Sequence, residues 1–257
     1  MSTIGRLLFA LSFAAIGALC IAWHGFAIAW ELLPKWIVWR ETLAIPCGAL
    51  LLGSGLALLV PRTARAAALL LTALLVLRLL LLHVPRVVAH PLIEVVWESM
   101  SENLIYIAGG WTILSTLPKK GWIFASFGNA RAGQILFALA LFPIGLSHFF
   151  YLNETASLVP SWLPFHAPLA YFTGAAWIAA ALGILSGVLS RLAATLTAIM
   201  VSLFTLLIWV PLLIATPDSI PDWSEMCSSA AITGAAWAVA GSFRTEWMKL
   251  RPTKAFE

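Results

Sequence analysis

The stretch GLSHFFYLNETASLVPSWLPFHAPLAYFTG, Gly145 to Gly174, decides how the rest of the chain is read. An apolar run closes on His148, Phe149, Phe150 and Tyr151. A short polar turn with Asn153 and Glu154 follows, then a Pro-Ser-Trp-Leu-Pro knot (Pro160 to Pro164), then His166, and a second apolar run opens at Ala167. This is the pattern of one membrane helix ending, an outer-surface loop, and the next helix beginning. The same plan occurs earlier in the chain, and that repetition sets the expected architecture.

The bulk composition agrees. Of 257 residues, 61% are hydrophobic and 10% charged, with a mean hydropathy of +0.96, whereas a soluble domain carries about 25% charged residues. So few charges cannot screen so much apolar surface from water, and the solvent is therefore lipid. A crossing helix needs about 20 mostly apolar residues. Eight such segments are expected: Ile4–Phe26, Leu43–Val60, Ala64–Val84, Leu104–Leu117, Gly133–Leu152, Ala167–Leu189, Leu192–Ile214 and Cys227–Ser242. The fourth and eighth are short and extend outward as amphipathic turns. The runs are continuous rather than alternating, which predicts helices and not a barrel. No small-x-small site follows the first run, so it is expected to be a retained helix and not a cleaved leader.

Lys and Arg set the orientation. One side holds Arg6, Arg62, Arg65, Lys119, Lys120, Arg131, Arg191, Arg244, Lys249, Arg251 and Lys254, and the other Lys35, Arg40 and Arg86. Both termini are therefore expected in the cytoplasm, with the chain in a bacterial inner membrane. The basic residues are scattered over short loops, which is no footprint for nucleic acid. Cys20, Cys47 and Cys227 show no metal spacing and are read as small apolar packing residues. Cys47 and Cys227 both begin helices on the outer side, where a bridge would form if their distance allowed it.

An internal repeat runs through the chain. Gly5/Gly133, Leu8/Leu136, Phe9/Phe137, Ile16/Ile144 and Gly17/Gly145 pair at one register. After the first loop, Pro34/Pro160, Trp36/Trp162, Gly48/Gly174, Arg65/Arg191, Pro85/Pro211, Trp97/Trp223, Met100/Met226 and Trp111/Trp237 pair at another. Shared apolar composition produces Leu/Leu matches, but not paired Trp, Pro and Arg. The expected organisation is a first four-helix repeat (1–117), a basic, turn-rich cytoplasmic linker (118–131) and a second four-helix repeat with a basic tail (132–257). An even number of helices makes the halves parallel repeats about an axis along the membrane normal. The expected fold is an all-α polytopic membrane protein, with eight transmembrane helices in two four-helix bundles side by side.

Candidate chemistry gathers at the outer end. His24, His83, His90, His148 and His166 all fall there, as do Glu31, Glu41, Glu94, Glu98, Glu102, Glu154, Asp218, Asp222 and Glu225. No HxxxH or HExxH spacing occurs, so a metal or haem site is disfavoured. Glu94, Glu98 and Glu102 recur every fourth residue and form one helical stripe, which reads either as a solvated face or as a path that turns Glu102 inward. Trp30, Trp36, Trp39, Trp97, Trp162 and Trp223 read as a headgroup belt or as a ligand-facing wall. Arg78 lies six residues before Val84, about 9 Å deep. It either snorkels to the headgroups or faces an interior partner such as Glu41, Glu98 or Glu102. Its repeat mate is Phe204. His148 sits about one turn inside its helix end, and its mate is Cys20.

Each half resembles the DoxX-like family of small four-helix membrane proteins. The resemblance lies in Gly-x-x-Leu-Phe-Ala-Leu at Gly5–Leu11 and Gly133–Leu139, His-Phe-Phe after Gly145, and Val-Pro-x-Trp-Leu-Pro at Val159–Pro164. Gly174, a Leu-Gly-x-Leu turn at Leu182–Leu185 and the basic loop at Arg191 complete it. The second half fits better, and the two halves read as a fused tandem. The resemblance implies membrane redox work, some members being similar to a subunit of thiosulfate:quinone oxidoreductase and others partnering maturation or oxidative-stress systems. Members often carry an acid early in the second helix; Gly48–Leu56 and Gly174–Leu182 hold none, and no catalytic residue is carried over.

Three functions follow as expectations. The first is a redox-associated subunit, at most part of a quinone-linked oxidoreductase. It binds quinone near the outer leaflet through Arg78, His148, Glu102, His83 and Glu98, and works with a periplasmic partner; it requires an apolar cleft open to lipid. The second is a non-catalytic scaffold or maturation factor with a well-packed interior. The third is a small-solute transporter, although no paired broken helices mark a midplane site.

Overall fold

The computed structural model describes residues 2–26, 39–118 and 129–243, all regular structure among them being helical. The order is α1 (Ser2–Ala22), α2 (Arg40–Leu59), α3 (Ala64–Arg78), α4 (Val84–Ala89), α5 (Glu94–Thr116), α6 (Ala130–Phe150), α7 (Leu152–Ser157), α8 (His166–Ser186), α9 (Ser190–Phe204), α10 (Val210–Ala215) and α11 (Ile220–Ser242). A π turn, Leu79–His83, joins α3 to α4, and a second, Thr205–Trp209, joins α9 to α10. The two π turns occupy equivalent positions of the repeat, and each runs into a Val-Pro pair. Proline has no N–H and its ring presses on the carbonyl four residues back, so a wider turn absorbs it without breaking the rod.

Six helical stretches are long and apolar enough to cross a membrane: Thr3–Ala22, Arg40–Leu59, Ala64–Ala89, Ala130–Phe150, His166–Ser186 and Ser190–Ala215. The helices α5 and α11, of 23 residues each, match them in length but carry Glu94, Glu98 and Glu102, and Asp222 and Glu225. Packing accounts for the difference. They form the central pair: α5 packs on α3, α6 and α11, while α11 packs on α1, α9 and α5. Neighbouring protein, not lipid, surrounds most of their surface, so polar side chains are tolerated there.

The halves do not close as separate bundles. Within each half the first helix packs on the second, the second on the third and the third on the fourth. The first helix then docks on the last helix of the other half: α1 lies along α11, and α6 along α5. Two helical rings thus share the α5–α11 pair, where side-by-side bundles were expected. Small residues permit the close approach at these contacts. A Cβ on Gly5 would collide with the Ala238 backbone, and one on Gly133 with Thr112 and the Ala108 carbonyl, positions equivalent in the repeat. Such close approaches hold helices together where lipid removes the hydrophobic drive.

Several local expectations change. The polar stretch around Asn153 and Glu154 is the short helix α7 and not a turn. Leu182–Leu185 is helical; the chain reverses at Gly187, whose φ of 83° suits a residue without a Cβ. The outward extension expected of the fourth and eighth segments is present, as continuous helix from Glu94 and from Ile220. Cys47 and Cys227 form no bridge among the described residues. Loop residues Trp30, Glu31, Pro34, Lys35 and Trp36, most of the linker (119–128) and the basic tail (244–257) lie outside the described residues.

Candidate functional site

Each half forms a cleft between its second and third helices. The second-half cleft has a volume of about 1100 Å³, and the first-half one about 190 Å³ among the described residues. Their walls correspond across the repeat: Leu43, Cys47, Leu50 and Arg78 of the small cleft are the mates of Leu169, Thr173, Ala176 and Phe204 in the large one. The large cleft opens between α8 and α9 along a rim of exposed apolar residues, Phe172, Leu182, Leu192, Leu196 and Leu203. That rim faces the surface a bilayer would cover.

The inner wall of the large cleft comes from the central pair and α6. Glu98 and Glu102 reach it from α5, Glu225 and Ser228 from α11, and Ser147 and His148 from α6. Glu98, Glu102 and Glu225 lie within electrostatic range of one another, and Glu98 lies beside the Ser147 hydroxyl. The imidazole Nδ1 of His148 is 2.8 Å from the Ile144 carbonyl. A carbonyl only accepts, so Nδ1 carries the hydrogen and a neutral ring leaves the Nε2 lone pair free. Two further lining groups are buried without a hydrogen-bond partner among the described residues: Trp177 Nε1 on α8 and Ser228 Oγ on α11, in side chains 3% exposed. A buried donor without a partner costs about 1–3 kcal/mol, so each orphan marks where a ligand or water would be welcome.

Below Glu102 on the same face of α5 lies Tyr106, 1% exposed, its ring edge-on to Phe13 at 5.5 Å. Its hydroxyl points toward Ser228, but the two do not close a geometrically good hydrogen bond. Glu94, Glu98, Glu102 and Tyr106 therefore form one polar stripe from the acidic end of the molecule into its interior.

Arg78 stands apart from this cleft. It is 7% exposed and does not snorkel. Its guanidinium donates to Asn103 Oδ1 at 3.1 Å, and Asn103 Nδ2 donates to the Leu75 carbonyl at 3.1 Å. Glu102 lies near enough to be felt electrostatically, but the side chain lines the small cleft. His83 is buried on the first π turn, its Nε2 without a partner among the described residues, and lines neither cleft. Of the five sequence candidates, Glu98, Glu102 and His148 come together, while Arg78 and His83 lie elsewhere. Ser147, Ser228 and Trp177 were not selected from the sequence, and Glu225 was named there only among the outer-end acids. The repeat carried a signal for two of them: Glu98, Ser99, Glu102 and Asn103 pair with Ser224, Glu225, Ser228 and Ser229, polar opposite polar within apolar helices.

At the acidic end the two halves are finished alike. Trp97 Nε1 donates to the Pro91 carbonyl at 2.9 Å and Trp223 Nε1 to the Pro217 carbonyl at 2.8 Å, which ties each central helix to its preceding loop. The hydroxyls of Thr216 and Ser219 hold the Asp222 carboxyl below its ordinary range. Among the described residues no three His, Cys, Asp or Glu side chains converge as a metal-ligand set. No family model, curated protein or solved structure matches this chain.

Proposed function

We propose that this protein is a multi-pass membrane subunit that takes a quinone from the bilayer into the second-half cleft. The observation that carries the reading is the cleft itself: an apolar volume open toward lipid that ends on orphaned Trp177 and Ser228 donors and on three carboxylates. A quinone ring offers carbonyl acceptors, which suit the Trp177 N–H and Ser228 O–H; the quinol offers hydroxyls, which suit Glu98, Glu102 and Glu225. A bound quinone supplies reversible two-electron, two-proton chemistry. This chain supplies the apolar slot, the orienting hydrogen bonds, and carboxylates and an imidazole placed to hold or pass protons. The electrons belong to a redox partner on the outer, periplasmic side. The DoxX-like motifs support the same reading, with α5 and α11 as additional spans, eight in all, and both termini cytoplasmic in a bacterial inner membrane. Arg78, tied to Asn103, keeps a packing role in this scheme.

The test is organic extraction of the purified protein followed by mass spectrometry. The expected result is about one quinone per chain, with retention lowered about tenfold in Glu102→Gln through loss of a carboxyl hydrogen-bond partner. Recovery of bulk phospholipid alone overturns the reading.

A further inference from the structure

The large cleft is lined by Glu98, Glu102 and Glu225, and by no Lys or Arg among the described residues. Around these carboxylates stand Glu94 and Tyr106 on α5, Asp222 on α11, His148 on α6 and, behind Glu102 from the α3 side, Arg78, whose guanidinium is held by Asn103. The lining residues of α8 and α9 carry no charge. Trp177 and Phe204 add an aromatic wall, their ring centroids 6.5 Å apart and tilted by 56°. Ser228 Oγ, on the inner wall from α11, is buried with only the poorly aligned Tyr106 hydroxyl beside it and marks a polar end of the cleft.

We infer that the cleft is a binding site for lipophilic cations, amphiphiles that pair an apolar body with a positively charged head. The apolar length of the cleft takes the body. The carboxylates at its inner end take the charge, which in a water-poor site is worth far more than at a surface. The aromatic faces add cation–π attraction. An anionic amphiphile of the same shape meets the same apolar walls but a repulsive end, so the site discriminates by charge and not by size. Arriving cation and departing proton compete for Glu98, Glu102 and Glu225, and acidification weakens binding.

The inference goes beyond the quinone reading, and its test is separate. Tetraphenylphosphonium and tetraphenylborate share a shape and differ in sign of charge. Equilibrium dialysis of each against the purified full chain in uncharged detergent is expected to show saturable binding of the phosphonium only. Glu102→Gln and Glu225→Gln should each weaken it by at least about tenfold; the second variant serves if the first fails to fold. Equal binding of both ions, saturable binding of neither, or phosphonium binding untouched by the folded Gln variant would overturn it. Protein that extracts without quinone yet binds the phosphonium keeps this inference and sinks the other; the opposite pattern does the reverse.

Discussion

Arg78 shows what a single residue reveals and conceals. An arginine inside an apolar run announces a buried charge in need of a partner, and the sequence pointed to nearby carboxylates. The partner found is Asn103, one residue from Glu102. Sequence spacing places both on α5 but does not say which of them faces α3; that depends on helix rotation, set by packing elsewhere. The repeat mates underline the asymmetry. Phe204 and Ser229 stand where Arg78 and Asn103 do, and there Thr205 joins Ser229 at 2.7 Å and Thr233 at 2.9 Å in a cluster of hydroxyls. If Asn103 holds the guanidinium, Asn103→Leu should destabilise the protein more than the double change Arg78→Met with Asn103→Leu, which removes both halves of the interaction. A double-mutant cycle read by unfolding in mixed micelles should give a coupling of about 1.5–3 kcal/mol. A coupling near zero would show that the Arg78–Asn103 hydrogen bond is worth nothing to the fold.

Elements were more legible than residues. Paired Trp, Pro and Gly gave the repeat, and the helices follow it down to the two π turns before Pro85 and Pro211, where the proline identity itself forces the local geometry. The extent of α5 and α11 was less visible, because their first turns are polar and a hydropathy reading stops at Leu104 and Cys227. Close packing makes a sharp contrast between two glycines of similar appearance. A Cβ on Gly17 would strike the Gly48 carbonyl and the Leu52 backbone, just as one on Gly145 would meet the Gly174 carbonyl and Ile178; a Cβ on the exposed Gly53 would meet nothing. Gly17→Ala should therefore force α1 off α2 and cost about 2 kcal/mol or more, whereas Gly53→Ala should stay within about 0.5 kcal/mol of wild type. Thermal unfolding of the two variants in detergent checks the difference, and equal melting temperatures would contradict the packing at the α1–α2 contact.

At the scale of the whole molecule, the sequence implied two like halves and suggested bundles side by side, but not the exchange of first helices between them. A closed bundle and an exchanged one use the same helices and loops. The choice rests on which surface of α1 and α6 carries the glycines that meet α11 and α5, a three-dimensional match that periodicity alone does not rank. The inequality of the clefts was likewise hidden in ordinary substitutions, such as Leu50 opposite Ala176. On the proposed function the architecture is evenly shared and the chemistry is not: the ligand occupies the second-half cleft of about 1100 Å³, whose first-half counterpart is about 190 Å³ among the described residues. The direct measurement is the amount of bound quinone in purified Ala176→Trp and Leu50→Trp, paired substitutions that fill the large and small clefts respectively. Loss of the ligand is expected in Ala176→Trp, by at least about tenfold because the indole occupies its volume, and retention in Leu50→Trp. Retention in a folded Ala176→Trp, or equal loss in both, would contradict the proposed function.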